Sequence, residues 1–296
     1  MFAKTMFGRA AQLVRSIIGC AIFMAMLLAA TVDGRARHAL GLLRVGPEGA
    51  VWIHRWCRRI VRAVGLSCAV HGELPGQVAA SQAGYEAVVC NHLSYVDILL
   101  MSAVRPFCMV AKTEVRSWPL LGWLTWQAGT VYVERGGKPE TYPSVNRAMA
   151  KAYRSGLPVL FFPEGTTTDG AFAEGGVMPF RRGLFHSVLR DAVQVRTAAI
   201  RYELEREQDG ASVANDVCWW GDALFAPHLF RFLGLRGVRA VVRFGDVAEG
   251  TDRFALAENA RAAVSEMYLA MADSRAGARA ESARDPRHEV GLAEAL

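Results

Sequence analysis

Short apolar segments alternate with stretches of helical periodicity between residues 68 and 250, and this alternation constrains the fold of the 296-residue chain most strongly. Segments such as Ala87–Cys90 are apolar throughout, as in strands that are covered on both faces. Strands that alternate with helices favour an α/β domain around one mostly buried sheet. The seven predicted strands are Cys68–Gly72, Ala87–Cys90, Phe107–Lys112, Gly129–Glu134, Pro158–Phe162, Val193–Tyr202 and Val238–Val247.

Five helices are predicted between and after these strands from apolar periodicity and from stop signals such as Gly156. We therefore expect an α/β domain over residues 65–250 and a C-terminal helix over residues 251–273. Apolar periodicity ends there, so a disordered tail is expected over residues 274–296. The five predicted helices are Tyr95–Val104, Trp118–Gln127, Tyr142–Arg154, Gly183–Asp191 and Asp252–Ala272.

Residues 1–64 predict a helical region that associates with a membrane. The run Ile17–Val32 has sixteen residues without a charge. As a helix it would be about 24 Å long, short of the ~30 Å hydrocarbon core of a bilayer. The run could span marginally, dip in and return, lie at the interface, or belong to a signal peptide. The stretch Val51–Val70 places tryptophans among arginines, which predicts an interfacial amphipathic helix or else a helix packed on the domain.

Charge and cysteine content narrow the classes of partner. Residues 1–62 contain ten Lys or Arg residues and two acids, in a chain of formal net charge +6. This asymmetry suits an anionic membrane surface. Nucleic acid is not expected, because apolar runs separate the basic residues and no nucleic-acid motif is present. The six cysteines do not have the spacing of metal ligands, so no metal site is predicted. They are expected to be small buried side chains of a protein in a reducing compartment.

A histidine and two carboxylates follow two of the predicted strands. His92 and Asp97 come after the second strand, and Glu164 comes after the fifth, within a Pro-Glu-Gly turn. A neutral imidazole takes a proton from an alcohol more effectively when a carboxylate fixes its tautomer. These residues indicate activation of a hydroxyl group on a bound substrate. Cys90 is an alternative nucleophile.

Four sequence blocks stand in one order within residues 65–250. They are Asn91-His92-Leu93-Ser94-Tyr95-Val96-Asp97, Gly129-Thr130-Val131-Tyr132-Val133-Glu134-Arg135, Phe161-Phe162-Pro163-Glu164-Gly165-Thr166 and Phe180-Arg181-Arg182-Gly183. Together they resemble the glycerolipid acyltransferase family that includes 1-acylglycerol-3-phosphate acyltransferase. The resemblance implies a central sheet wrapped by helices.

The same resemblance implies the roles of individual residues. His92 would be the catalytic base and Asp97 the group that orients it. An acyl-CoA or acyl carrier protein thioester would be the donor, with no cofactor and no metal. Guanidinium groups match phosphate oxygens, so arginines are expected at the acceptor head group. The implied substrate-binding residues are Arg135, Glu164, Gly165, Thr166, Arg181 and Arg182.

The chain departs from the family pattern at three places. Thr167 occupies a position where many relatives have an arginine, so one expected phosphate contact is missing. The pair Arg181-Arg182 stands where relatives often have lysine. The segment Val195–Ile200 lacks the proline that relatives usually carry in a block thought to line the acyl site.

The expected function is transfer of a fatty acyl chain to the free hydroxyl of lysophosphatidic acid, at the cytoplasmic face of the inner membrane. Lyso-ornithine lipid is the alternative acceptor, mildly favoured by Thr167. A lipase or esterase would need a Gly-x-Ser-x-Gly motif, which the sequence does not contain. A non-catalytic membrane-binding scaffold is the third possibility, and the intact His92, Asp97 and Glu164 count against it.

Overall fold

A seven-stranded sheet forms the centre of the computed structural model, which describes residues 2–76, 85–134, 142–172, 175–206, 208 and 210–284. The prediction of an α/β domain around a mostly buried seven-stranded sheet is confirmed. Each predicted strand overlaps one observed strand. The strands are β1 Leu66–His71, β2 Glu86–Cys90, β3 Cys108–Lys112, β4 Val131–Val133, β5 Val159–Phe161, β6 Gln194–Leu204 and β7 Val238–Ala248.

Helices surround this sheet. The five predicted helices correspond to α3–α6 and α8 below, whereas the sequence pattern does not predict α7 or the short turns Thr113–Ser117 and Val213–Val217. The helices are α1 Phe2–Ala39, α2 Pro47–Ala63, α3 Val96–Val104, α4 Leu121–Gln127, α5 Tyr142–Tyr153, α6 Gly183–Arg190, α7 Phe225–Phe232 and α8 Arg253–Arg284.

The strand order in the sheet is β1-β7-β6-β2-β5-β3-β4, and every neighbouring pair is parallel except β6 with β7. β2 lies in the middle, between β5 and β6, and its residues from Ala87 to Cys90 are fully buried. Parallel strands end at the same edge of a sheet, where α/β proteins place their binding sites. The loops after β2 and β5 are therefore neighbours.

The C-terminal helix is longer than the sequence predicts. α8 packs along β6 and β7 and continues to Arg284. The helix therefore ends at Arg284 and not at residue 273. The disordered tail stays a prediction for residues 285–296, which lie outside the described part of the chain. Residues 274–284 are rich in alanine and arginine, which have high helix propensity whether or not an apolar face continues.

The helix predicted within Val51–Val70 packs on the domain, which is one of the two alternatives that the sequence left open, and it ends earlier than predicted. α2 ends at Ala63, and Gly65 adopts φ +72° before β1 begins. A residue in this left-handed conformation commonly terminates a helix. Trp52 is 6% exposed, and the Nε1 atoms of Trp52 and Trp56 donate to Oδ2 of Asp33 in α1 at 2.9 and 3.1 Å.

α1 has one docked side and one exposed apolar side. It packs against α2, α4 and α7, with Leu27 and Ala30 buried. Leu13, Ile17 and Val32 are 53%, 55% and 68% exposed. Within the described residues, this is the one helix long and apolar enough to cross a membrane. At 1.5 Å per residue, its 38 residues span about 57 Å.

Candidate active site

The loop that follows β2 carries a hydrogen-bonded histidine and aspartate. Nδ1 of His92 lies 2.8 Å from Oδ2 of Asp97. Asp97 is in the first turn of α3 and is fully buried, whereas 16% of the His92 side chain is exposed. An ionised carboxylate only accepts hydrogen bonds, so Nδ1 carries the proton and Nε2 keeps its lone pair. This is the geometry of a general base and the group that orients it.

Four donors converge on the Asp97 carboxylate. Besides His92, Oδ2 accepts from the backbone N–H groups of Leu93 at 2.7 Å and Ser94 at 3.0 Å. Oδ1 accepts from the Tyr202 hydroxyl at 2.6 Å. A buried charge needs such partners, because leaving it unpaired is costly. Tyr202 lies in β6, 105 residues away in sequence, so no local pattern points to it.

Neighbouring elements fix the position of this loop. Oδ1 of Asn91 accepts from the N–H of Ile200 at 2.8 Å, and Nδ2 donates to its carbonyl at 2.9 Å. The amide side chain thereby continues the pairing of β2 with β6 beyond Cys90. The His92 ring stacks on Phe162, with 4.2 Å between ring centroids and 16° between planes. The loops after β2 and β5 together set the direction of the imidazole.

Glu164 binds the backbone of the site. Its Oε1 accepts from the N–H of His92 at 2.6 Å, and its Oε2 accepts from the N–H of Met178 at 2.9 Å. Only 2% of the residue is exposed, and burial raises its pKa to about 7 against the two hydrogen bonds. The sequence predicts that Glu164 contacts the acceptor. The observed contacts hold the loop after β2, here called the His92 loop, against the loop after β5, here called the β5 loop. A contact between Glu164 and the acceptor stays a prediction.

The exposed edge of His92 borders a large apolar cavity with a volume of about 870 Å³. Its walls come mainly from α1, α2, α3, α4 and α7, with side chains such as Leu27, Trp56, Leu99 and Phe232. Ligand sites commonly have volumes of roughly 300–1,000 Å³ and mostly apolar walls. The cavity therefore suits a long apolar substrate group.

The polar lining of the cavity matches the predicted residues only in part. Among the described residues, Gly165 and Arg181 line it, whereas Glu164, Thr166 and Arg182 do not. Gly165 adopts φ +70°, and a Cβ atom there would lie 2.6 Å from Nε of Arg181. Glycine is thus required both for the turn and for the close approach of the guanidinium.

Arg253, which the sequence analysis missed, lies at the start of α8 and lines the same cavity as Arg181. The guanidinium carbons of Arg182 and Arg253 lie 4.7 and 5.0 Å from the ring centroid of Phe254. We call Arg181, Arg182 and Arg253 the arginine cluster. In the part of the chain that the structure describes, none of the three forms a salt bridge. Arg135, predicted for the same role, lies outside the described residues.

Two other reactive side chains near the site have no catalytic geometry. Cys90 is fully buried, and burial raises the pKa of its thiol well above the usual value, which is unsuited to a nucleophile. His228 donates from Nε2 to the carbonyl of Cys218 at 2.9 Å and accepts at Nδ1 from the Tyr95 hydroxyl at 3.0 Å. Both of its ring nitrogens are thus occupied in a buried network.

Comparison with known proteins defines the class. Residues 78–201 match the family model described as Acyltransferase. The lyso-ornithine lipid O-acyltransferase of Pseudomonas aeruginosa is 32% identical over 253 residues, which cover 78% of this chain and 90% of that protein. The chain therefore belongs to the acyltransferase family. The resemblance found in the four sequence blocks is confirmed.

Relatives that are named for a different acceptor match a shorter segment of this chain. The 1-acyl-sn-glycerol-3-phosphate acyltransferases of Neisseria gonorrhoeae and Neisseria meningitidis are 35% identical over 172 residues, which cover 57% of this chain and 64% of each relative. The crystal structure of the 1-acyl-sn-glycerophosphate (LPA) acyltransferase PlsC from Thermotoga maritima has a TM-score of 0.63 at 14% identity. It covers 88% of this chain and 97% of that chain, so the two share a fold.

Proposed function

We propose that this acyltransferase moves a fatty acyl chain from the thioester of acyl-CoA or acyl carrier protein to the free hydroxyl of a lysolipid. The observation that carries the proposal is the position of His92. Its Nδ1 is held by the buried Asp97, and its exposed edge borders the apolar cavity. A basic nitrogen beside a long apolar cavity suits proton removal from an alcohol next to a fatty acyl thioester.

In the proposed reaction, Nε2 of His92 takes the proton of the acceptor hydroxyl as its oxygen attacks the thioester carbonyl carbon. The new C–O bond forms, the C–S bond breaks, and the thiolate leaves. The imidazolium then gives its proton to the thiolate, which releases a free thiol and restores neutral His92. Asp97 stabilises the imidazolium while it exists, because its buried negative charge lies against Nδ1.

The arginine cluster supports an acceptor with an anionic head group. Guanidinium groups pair well with phosphate and carboxylate oxygens. Arg181 and Arg253 line the same cavity as His92, so an anion bound there would belong to a molecule within reach of the base. Lysophosphatidic acid is the first candidate acceptor, with phosphatidic acid as product. The Neisseria relatives are named for this activity.

Lyso-ornithine lipid is the second candidate acceptor, and two observations favour it. The match to the Pseudomonas aeruginosa lyso-ornithine lipid O-acyltransferase spans 78% of this chain, against 57% for the Neisseria enzymes. Thr167 also lines the cavity at a position where an arginine would add a phosphate contact. The carboxylate of an ornithine head group would then bind the arginine cluster.

A panel of two acceptors and two donors tests this proposal. The purified chain is offered lysophosphatidic acid or lyso-ornithine lipid, each with palmitoyl-CoA or palmitoyl acyl carrier protein. We expect acylated lipid and free thiol in equal amounts, with one acceptor clearly preferred. If neither lysolipid is acylated with either donor, the proposed function is wrong.

We also propose that the enzyme acts at the cytoplasmic face of the inner membrane, with the exposed side of α1 in the lipid. Burying each large aliphatic side chain contributes about 1.5–3 kcal/mol. The double variant Ile17→Ser/Ile18→Ser should therefore sediment less with anionic vesicles than the wild type, whereas Leu269→Ser on α8 should not. Ile17, Ile18 and Leu269 are 55%, 52% and 46% exposed. Equal sedimentation of all three proteins would remove α1 from the membrane contact.

A further inference from the structure

We infer that Tyr202 is a positioning residue for the pair His92 and Asp97, acting through Oδ1 of Asp97; this inference rests on the proposed function. Its hydroxyl donates to Oδ1 at 2.6 Å. Both side chains are buried, with Tyr202 2% exposed and Asp97 fully buried. Tyr202 is not among the described residues that line the cavity, so any influence on the reaction passes through Asp97.

The two oxygens of Asp97 are held by different parts of the molecule. The three donors to Oδ2 belong to consecutive residues of one loop, His92, Leu93 and Ser94. Those donors move with the loop and cannot alone define its position. Tyr202 belongs to β6, where it pairs with Ala240 of β7. Its hydrogen bond therefore ties the carboxylate, and through it the imidazole, to the sheet.

Tyr202 is a permanent donor. Burial and the neighbouring charge of Asp97 raise the pKa of its hydroxyl well above the usual value, so it keeps its proton throughout the working range of pH. An ionised Asp97 has no proton to offer, so the direction of the hydrogen bond is fixed. The bond also draws part of the negative charge of the carboxylate towards Oδ1.

Removing this donor has two consequences. Oδ1 loses a partner in a buried place, so the carboxylate is freer to rotate and the imidazole is less well directed. The charge that the hydroxyl had shared becomes available to the imidazolium, which is then held more strongly. The pH below which the reaction slows should therefore be higher in the variant.

Other titratable groups face Asp97 and must be separated from this effect. Glu164 lies on the β5 loop, and its raised pKa of about 7 falls inside the pH range over which kcat is measured. Burial raises the pKa of the thiols of Cys90 and Cys218, which interact with Asp97, beyond that range. The pH profiles are therefore repeated in a Glu164→Gln background, where the carboxyl no longer titrates.

The test compares Tyr202→Phe with the matched variant Tyr153→Phe. Tyr153 is also 2% exposed, and its hydroxyl shares a hydrogen bond with Oγ of Ser187 at 3.1 Å, apart from the cavity. We expect Tyr202→Phe to lower kcat about tenfold, equivalent to ~1.4 kcal/mol, without changing the acceptor KM. The acid limb of its kcat profile should move to higher pH. Tyr153→Phe should lose similar thermal stability but keep the wild-type kcat and profile.

A second replacement keeps the tyrosine shape and avoids any loss of folding. Site-specific 3-fluorotyrosine at position 202 makes the hydroxyl a stronger donor, so the acid limb should move to lower pH, opposite to Tyr202→Phe. Wild-type kcat and an unmoved acid limb in both Tyr202 variants would overturn the inference. An inactive wild type would instead count against the proposed function, so the two failures are distinguishable.

Discussion

The loop that contains His92 borders the same cavity as Arg181 and Arg253 of the arginine cluster. The contacts that hold the loop and the cluster differ. The loop is held by buried hydrogen bonds on Asp97, Glu164 and Asn91. The arginine cluster consists of exposed side chains that form no salt bridge within the described residues, two of them resting on the exposed ring of Phe254.

In the function proposed above, this contrast separates proton transfer at His92 from the choice of acceptor. Buried hydrogen bonds fix a geometry, since each unpaired group would be costly. Exposed arginines keep rotamer freedom and can be exchanged at little cost to folding. The following predictions test whether the two regions are separable in this way.

A large effect, second only to that of removing His92 itself, is expected from Asp97→Asn, which disrupts the buried region. An asparagine amide cannot accept from all four donors, because its NH₂ group is itself a donor. We expect kcat to fall about 100-fold, the lower range for loss of a working general base. Circular dichroism would verify the fold, and kcat at saturating acceptor would be measured. A near-normal kcat would reduce Asp97 to a helix-capping residue.

A smaller effect, on binding, is expected from Arg253→Ala and Arg181→Ala. Each variant should raise the acceptor KM about 5–20-fold, the range for one charge-assisted hydrogen bond that is partly screened by solvent. The kcat and the donor KM should change less than twofold.

Arg239→Ala is the matched control for these variants, because Arg239 is exposed on β7 and does not line the cavity. It should leave both KM values unchanged. If the arginine variants raised the donor KM instead, the cluster would bind the phosphates of CoA and not the acceptor.

The smallest effect is expected on the pH dependence of the free energy of unfolding, and it comes from Glu164. Its pKa is raised from 4.5 to about 7 in the folded protein, so between these values the folded state keeps a proton that the unfolded state has lost. The stability due to this proton is complete below pH 4.5 and is lost as pH rises through 7. Between pH 5 and 8 the wild type should lose on the order of 1–3 kcal/mol more than Glu164→Gln. Parallel denaturation midpoints in the two proteins would contradict this assignment.

The sheet and the proximity of His92 to Asp97 could be predicted from the sequence, because each leaves a local pattern. A buried strand such as β2 shows a continuous apolar run, and His92 with Asp97 forms a recognisable spacing directly after it. Local patterns failed where a residue's partner is distant. The hydrogen bond from Tyr202 spans 105 positions, and Arg253 reaches the cavity only because α8 packs back across the sheet.

Sequence reasoning also failed where one pattern suits two environments. α2 has tryptophans and arginines that fit a membrane interface, but its tryptophans donate to Asp33 on α1. Glu164 is predicted to bind the acceptor, and the sequence does not predict that both of its oxygens accept backbone N–H groups. In each case amino-acid type alone does not identify the tertiary partner.

The central claim, that His92 is the base that activates the acceptor hydroxyl, is tested most directly by His92→Ala. The purified variant and the wild type are assayed with the preferred lysolipid and donor, following acylated lipid and free thiol together. The wild type should form both at the same rate, and His92→Ala should lose about 10²–10⁴-fold in kcat while retaining its fold and vesicle binding. Acylated lipid formed by the folded variant at a near-normal rate would contradict the account.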